Sequence, residues 1–115
     1  MSNVHIAIVQ VSGTALTGEA VPVAAAALVG TPEVIVSTGS SQRSTLAATS
    51  STVTESRLAD YFWRIAVGGS DDVYVAFGDN PTASAATGYL CPAGGVYEFR
   101  ISFVGTNAKV AVINA

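Results

Sequence analysis

The sequence predicts a small all-β fold: a β-sandwich of the jelly-roll or Greek-key type with an extended N-terminal region. Three observations favour it. Short segments alternate apolar and polar residues with the period of two that a half-buried strand requires. Runs of Gly, Pro, Asn and Asp separate these segments and predict turns. About seven to nine candidate strands fit in the 115 residues, at the spacing typical of a sandwich or barrel.

The aromatic residues predict where the core is densest. All nine lie between Tyr61 and Phe103, and residues 1–60 contain none. Aromatic side chains bury the largest apolar area per residue and dominate cores and interfaces. We therefore predict a single domain over residues 1–115 whose aromatic core lies mainly in residues 60–113. Residues 1–20 are a candidate arm that becomes ordered on assembly.

Four segments of this second half carry the clearest strand pattern. They are residues 60–67, 72–77, 96–103 and 109–113. If two sheets pack face to face, the faces that carry Trp63 and Phe99 are expected to bury each other. The faces predicted to be buried consist of Tyr61, Trp63, Ile65 and Val67 in the first segment, of Val73, Val75 and Phe77 in the second, and of Tyr97, Phe99, Ile101 and Phe103 in the third.

The first half of the chain predicts further strands. Residues 4–11 form a predicted first strand. Residues 21–29 are apolar and rich in Ala, and the flanking Pro and Gly leave little room for a helix, so we favour strand or extended structure there. The Gly-Thr-Pro sequence at residues 30–32 predicts a turn, and residues 33–37 form another predicted strand.

Two polar or small-residue tracts leave alternatives open. Residues 38–56 are rich in Ser and Thr, which suits a flexible linker, a strand on a polar surface, or an arm that orders against a neighbouring chain. Residues 54–59 predict one short helical turn that leads into the next strand. Residues 83–88 are small, which favours either the close approach of another chain or an exposed flexible loop.

The charge of the chain argues against several classes of partner. The net charge is −3, and only 11% of the residues are charged. The five basic residues are scattered, whereas nucleic-acid-binding proteins usually carry a basic patch or stripe, so no nucleic-acid partner is expected. No apolar run reaches the length of a membrane span and the N-terminus lacks a basic signal region, so no membrane partner is expected. A surface this poor in charge is typical of one covered by partner chains.

The residues that enzymes need are scarce, so we predict that the protein is not an enzyme and assign no catalytic, cofactor-binding or metal-binding residue and no cofactor. His5 is the single histidine, and we interpret it as a polar position in a first or edge strand. The single cysteine, Cys91, excludes an internal disulfide and is predicted to be a small buried side chain, with a reactive thiol as the alternative. Four residues that flank one predicted strand are interpreted as turn residues rather than calcium ligands: Asp71, Asp72, Asp79 and Asn80.

Five tracts carry recognisable turn and strand patterns: residues 37–44 (STGSSQRS), 73–83 (VYVAFGDNPTA), 89–95 (YLCPAGG), 98–101 (EFRI) and 109–113 (KVAVI). Together they resemble a class of small virion structural proteins of tailed bacteriophages, which share a V-x-V-A-x-G-x-N-P-T-A hairpin, an L-P-A-G turn, an E-F-R-I strand and a K-V-A-V-I end. The resemblance covers residues 37–113. Two departures are Cys91, which replaces the usual apolar residue before Pro92, and Phe103-Val104, which lengthen one strand.

The resemblance implies a capsid cement or decoration protein that stabilises the head shell by binding between major capsid subunits. Such a protein is made in the host cytoplasm, lies on the capsid surface of the virion, and is a homo-oligomer, with a trimer favoured. Two alternatives remain. One is a tail, connector or fibre-base component on the same sandwich. The other is a carbohydrate-binding sandwich in which Tyr74, Tyr89 or Trp63 stacks on sugar rings.

Overall fold

In the computed structural model, the chain is described over residues 2–11, 26–53, 60–102 and 104–115. These residues form eight strands and no α-helix. The predicted strand segments of the second half are confirmed, with small shifts of their ends. The strands are β1 (Ser2–Val11), β2 (Ala26–Val36), β3 (Gln42–Arg43), β4 (Tyr61–Gly69), β5 (Val73–Asp79), β6 (Tyr89–Cys91), β7 (Val96–Arg100) and β8 (Ala108–Asn114).

The strands form two four-stranded antiparallel sheets, which confirms the predicted all-β sandwich. The first sheet has the order β2-β1-β4-β7 and the second the order β3-β8-β5-β6. Only two connections, β1 to β2 and β5 to β6, join neighbours within one sheet; the other five pass from one sheet to the other. This alternation is typical of Greek-key and jelly-roll sandwiches, and the finer jelly-roll assignment stays a prediction.

One hydrophobic cluster fills the space between the sheets and takes residues from both halves of the chain. Val4, Ile6 and Ile8 on β1 have no exposed surface, because β1 lies between β2 and β4 in the middle of its sheet. Fully burying an Ile or Val side chain contributes about 1.5–3 kcal/mol. Residues 2–11 are therefore a central strand of the domain rather than a separate arm, and residues 12–20 lie outside the described residues.

The expectation that the Trp63 and Phe99 faces pack against each other across the sandwich is wrong. Trp63 and Phe99 lie directly opposite each other on neighbouring strands of the same sheet, β4 and β7. The ring that faces them from the second sheet is Phe77 on β5, whose centroid lies 4.9 Å from that of Phe99 and 6.3 Å from that of Trp63. The alternation defined the buried faces correctly, but strand pairing decides which faces meet.

The predicted turn at residues 30–32 is also wrong, because these residues form a bulge inside β2. Ile6 pairs with Glu33 and Ile8 pairs with Val29, so Ala7 alone lies opposite the three residues between them. Gly30 has a φ of +72°, a conformation that costs a residue with a Cβ atom. The glycine therefore supplies the bend of a continuous strand, and not a reversal of the chain.

The polar tract after β2 is fixed to its own chain over residues 38–53. The amide of Ser44 donates to the carbonyl of Val110 at 2.7 Å, and the amide of Ala48 donates to that of Ala108 at 2.9 Å. A carboxylate oxygen of Glu33 accepts from the amide of Leu46 at 2.7 Å. The linker and neighbour-bound-arm interpretations therefore fail for residues 38–53. The helical turn predicted at residues 54–59 lies outside the described residues, as does Phe103.

Candidate functional site

The described part of the molecule has a cleft between two edge strands, β6 of the second sheet and β7 of the first. The ring of Tyr89 on β6 lies 5.3 Å from that of Phe99 on β7, and Phe77 on β5 lies 6.3 Å from Tyr89. Tyr89 is 60% exposed. The cleft has a volume of about 400 Å³. We call it the edge cleft, and its lining consists of Phe77, Thr87, Tyr89, Phe99, Arg100 and Ser102.

The loop before β6 sets the position of Tyr89. Asn80 has a φ of 47°, which turns the chain away from the end of β5. The hydroxyls of Ser84 and Thr87 lie 2.9 Å apart and close a tight turn. A Cβ atom on Gly88 would lie 2.8 Å from both the carbonyl oxygen of Ser84 and the Cβ of Tyr74. Gly88 therefore packs closely against the loop itself and against β5, and the loop places Tyr89 at the edge of the sheet.

A smaller cavity of about 80 Å³ shares Phe77, Arg100 and Ser102 with the edge cleft. Trp63, which is 4% exposed, and Phe77 contribute to its walls together with Arg100 and Lys109. Neither cavity has an Asp or Glu in its lining. The aromatic rings thus run from the exposed Tyr89 to the buried Trp63, with basic residues beside them.

The basic residues around the edge cleft are the described cations without an ion-pair or hydrogen-bond partner. Arg64 forms an ion pair with Glu98 at 3.0 Å, and the guanidinium of Arg43 donates to the carbonyl of Pro81 at 2.7 Å. The other two described cations, Arg100 and Lys109, both line this region. A chain with a net charge of −3 therefore places two positive groups beside an aromatic cleft, which favours ligands or partners with a negative group.

Along the cleft, β7 presents backbone hydrogen-bonding groups that no described strand uses. The amide of Ile101 donates to the carbonyl of Tyr61 at 3.2 Å, and the amide of Val67 donates to the carbonyl of Gly95 at 3.0 Å. The odd-numbered positions of β7 therefore bond to β4. Because bonding alternates along an antiparallel pair, the amides and carbonyls of the even-numbered positions point away from β4. These positions are Val96, Glu98 and Arg100.

The exposed large apolar side chains of the described residues all lie on edge strands. Three are on β2, two on β6 and one on β7. Edge strands with exposed apolar side chains are places where another chain can add to a sheet. The six are Leu28, Val34, Val36, Tyr89, Leu90 and Val96, each at least 45% exposed.

The residues that the sequence analysis considered for other chemistry are scattered over the fold. His5 is an exposed position of β1. Asp72 accepts a hydrogen bond from the amide of Ala93 at 2.8 Å and lies at one end of β5. Asp79 lies at the other end, more than about 20 Å away given the rise of a strand.

In the described ranges no group of three His, Cys, Asp or Glu side chains could hold a metal ion, and no helix is long and apolar enough to cross a membrane.

Of the three aromatic residues considered for sugar stacking, the structure exposes one. Trp63 is buried and Tyr74 is half-buried, whereas Tyr89 is exposed. The roles of Phe77, Phe99 and Arg100 beside Tyr89 were missed by sequence reasoning. Phe77, Tyr89 and Phe99 lie on three consecutive strands, and the sequence pattern does not show which of these strands share a sheet, so no local signal joins the residues.

Comparison of the chain with protein-family models, with curated proteins and with solved structures finds no match.

Proposed function

We propose that this protein is a non-enzymatic structural subunit that binds neighbouring chains through its sheet edges, in the role of a capsid cement or decoration protein of a tailed bacteriophage. The observation that carries the proposal is the confinement of the exposed large apolar side chains to edge strands. Stable monomers usually protect such edges with charges, prolines or short strands. In this chain, exposed apolar side chains remain at the edges in spite of the bulge and Pro32 of β2 and the short strands β3 and β6.

The first sheet supports this role at both of its edges. On β2, Leu28 is 62% and Val34 is 53% exposed. On β7, Val96 is 64% exposed and lies among backbone groups that no described strand uses. At β7, main-chain pairing would supply affinity without particular side chains. At β2, whose bulge hinders pairing, the exposed apolar side chains would pack against a neighbouring chain. Weak contacts of this kind become stable when a shell repeats them many times.

The low charge of the chain supports the same role. Interface centres are depleted in charged residues, and 11% of this chain is charged. Pairing with major capsid subunits and with further copies of this chain would cover the apolar edges. The resemblance of residues 37–113 to phage virion proteins directs the proposal to the capsid rather than to another assembly.

The copy number of the chain in purified particles tests the proposal. Quantitative mass spectrometry against the major shell protein is expected to give a ratio near one to one, or another ratio that corresponds to a lattice-wide position. A few to a few dozen copies would contradict the cement role and favour the tail, connector or fibre-base alternative.

A variant of the edge strand β2 tests whether the exposed apolar side chains bind a neighbouring chain. Val34→Lys places a charge on the exposed face of β2 and is expected to leave the fold intact, because the side chain points to solvent. Incorporation into particles is expected to fall, since the charge would be buried without a partner against the neighbouring chain. Asn3→Lys, at an exposed position of the central strand β1, is the matched control. Equal incorporation of the two variants would argue against edge binding.

A carbohydrate-binding sandwich is the second candidate, because Tyr89 is exposed beside Phe99, Arg100 and the hydroxyls of Thr87 and Ser102. An aromatic ring stacks on the apolar face of a sugar, and nearby polar groups fix its orientation. Glycan-array binding that is lost in Tyr89→Ala and kept in Tyr74→Ala would support this candidate. No binding to host-surface glycans would remove it.

A further inference from the structure

We infer that two copies of this chain pair through β7, edge to edge and antiparallel, about a two-fold axis that passes beside Phe99. The inference rests on the proposed function, because it names one of the neighbours that cover the sheet edges. It is carried by three features of β7: its free backbone groups, the order of its charged residues, and the aromatic cluster behind it.

The edge of β7 is the best suited of the four sheet edges for adding a strand. The edge strand β2 carries the bulge at Gly30 and Pro32, and both devices hinder continuous pairing. The edge strands β3 and β6 have two and three residues. By contrast, β7 has five residues and no proline, and its even-numbered positions offer their amides and carbonyls to the outside.

The charges of β7 select one register. In an antiparallel pair of identical edges, the outward-bonding positions lie opposite one another. An axis beside Glu98 or Arg100 places each of these residues opposite its own copy, which is repulsive. An axis beside Tyr97 leaves Glu98 opposite Val96. An axis beside Phe99 places Glu98 opposite the partner's Arg100 and Arg100 opposite the partner's Glu98. Only this register forms two opposite-charge pairs.

The monomer is already arranged for these pairs. Glu98 is 46% exposed although it bonds to Arg64, and a carboxylate can accept from two guanidinium groups at once. Arg100 is exposed and has no acidic partner among the described residues. Each pair would therefore extend the existing ion pair into a chain of Arg64, Glu98 and the partner's Arg100, and it would satisfy the free cation at the edge cleft.

The apolar side of the same register is also complementary. Phe99 lies opposite the partner's Phe99 at a non-hydrogen-bonded position, where the Cα atoms of antiparallel strands are about 4.5 Å apart and side chains are closest. Phe99 is half-buried and touches Phe77 and the exposed Tyr89. The pairing would join the two aromatic clusters and cover rings that water reaches in the monomer. Cross-strand aromatic pairs stabilise such contacts.

Charge complementation tests the inference. Arg100→Glu alone would place Glu98 opposite Glu at both pairs, and Glu98→Arg alone would place Arg opposite Arg100. Each variant is expected to raise the dimer Kd about tenfold or more, because like charges face each other twice. A one-to-one mixture of the two variants restores both opposite-charge pairs, so heterodimers are expected with a Kd near that of the wild type. Native mass spectrometry distinguishes the species by mass.

Three controls make the experiment decisive. Thr45→Arg adds a charge at an exposed position near β2, which is the other edge strand of the first sheet, and is expected to leave the Kd unchanged. Circular dichroism and urea unfolding check that each variant is folded. Concentrated salt is expected to weaken the repulsion and partly restore dimers of the single variants.

Any of three results would overturn the inference: a wild-type chain that stays monomeric at millimolar concentration, variants that associate as well as the wild type, or a mixture that forms no heterodimer. A trimer that both variants form as readily as the wild type would also overturn the inference. The result is independent of particle copy number, so a failed pairing and a failed cement role are distinguished.

Discussion

At the scale of the residue, Cys91 shows how burial decides chemistry. The side chain lies at the end of β6 with none of its surface exposed, and burial raises the pKa of the thiol to about 11 from an ordinary value of 9.0. Thiol reactions proceed through the thiolate. The structure therefore supports the interpretation of Cys91 as a small core side chain and disfavours the reactive-thiol alternative.

The rate of alkylation measures the reactivity of the Cys91 thiol directly. In mildly alkaline buffer, iodoacetamide is expected to modify Cys91 in the folded protein about a hundredfold or more slowly than in urea, because the thiolate is rarer and the sulfur is covered. Mass spectrometry of timed samples gives both rates. Cys91→Ala is the control for modification elsewhere. Equal rates in the folded and unfolded chain would contradict the buried position.

The same pKa predicts how stability depends on pH. The folded chain holds the thiol proton up to about pH 11, whereas the unfolded chain begins to lose it near pH 9.0. The unfolded state then binds fewer protons, so the free energy of unfolding falls as the pH rises through this range. We expect the urea midpoint of the wild type to fall more steeply between these pH values than that of Cys91→Ala. Parallel curves for the two proteins would exclude this contribution.

A substitution at Ile6 tests whether β1 contributes to the hydrophobic core. Ile6 is fully buried and pairs with the equally buried Ile65. Ile6→Ala is expected to lower the free energy of unfolding by about 2–5 kcal/mol, through lost burial and the cavity that remains. Val34→Ala, on the exposed face of β2, is expected to change it by less than about 0.5 kcal/mol. Urea unfolding of both variants measures the difference, and similar losses would mean that β1 is not central.

At the scale of the element, the bulge of β2 depends on one glycine. Gly30 combines a φ of +72° with a tight environment, since an added Cβ would lie 3.0 Å from a methyl carbon of Leu46. Leu46 belongs to the polar tract that follows β2. The bulge and the tract therefore fit each other, and the bulge also hinders pairing at this edge of the sheet.

Gly30→Ala is expected to destabilise the protein by about 1–2 kcal/mol, because both the backbone and Leu46 must move. Gly39→Ala is the matched control, since nothing lies within 4 Å of its added Cβ and its φ is not positive. Removing a glycine there restricts the unfolded chain and is expected to be neutral or slightly stabilising. Urea unfolding compares the free energies of unfolding of the two variants. An equal effect at both positions would contradict the bulge geometry.

At the scale of the whole molecule, two sheets enclose one core while the outer edges keep apolar side chains exposed. The proposed cement role makes use of this arrangement, because neighbouring chains would pack on the exposed edges. Heads that lack the protein are expected to assemble but to rupture at lower temperature, since each shell loses many edge contacts. Dye access to the packaged genome during heating measures rupture. Normal heat resistance without the protein would contradict the role.

Adding purified protein to such heads supplies the control. Wild-type chain is expected to restore heat resistance, and Val34→Lys is expected to restore less of it, because the charge weakens edge binding. Full restoration by both proteins would leave the cement role in place and move the binding surface away from β2.

Much of this molecule could be predicted from local pattern. Alternation with a period of two defined the buried face of β4, where Tyr61 and Trp63 are buried as expected. It also placed Glu98 and Arg100 on an exposed face of β7. Such alternation needs no knowledge of the partner strand, because the pleat of each strand alone sends successive side chains to opposite faces.

The sequence by itself determined the all-β class and the buried and exposed faces of the described strands. Tertiary structure decided the rest, because strand pairing joins residues that are distant along the chain. It placed Trp63 and Phe99 on neighbouring strands of one sheet rather than across the sandwich, made residues 30–32 a bulge rather than a turn, and put β1 at the centre of a sheet. It also gathered Phe77, Tyr89 and Phe99 from three strands into one cleft, which no local pattern specifies.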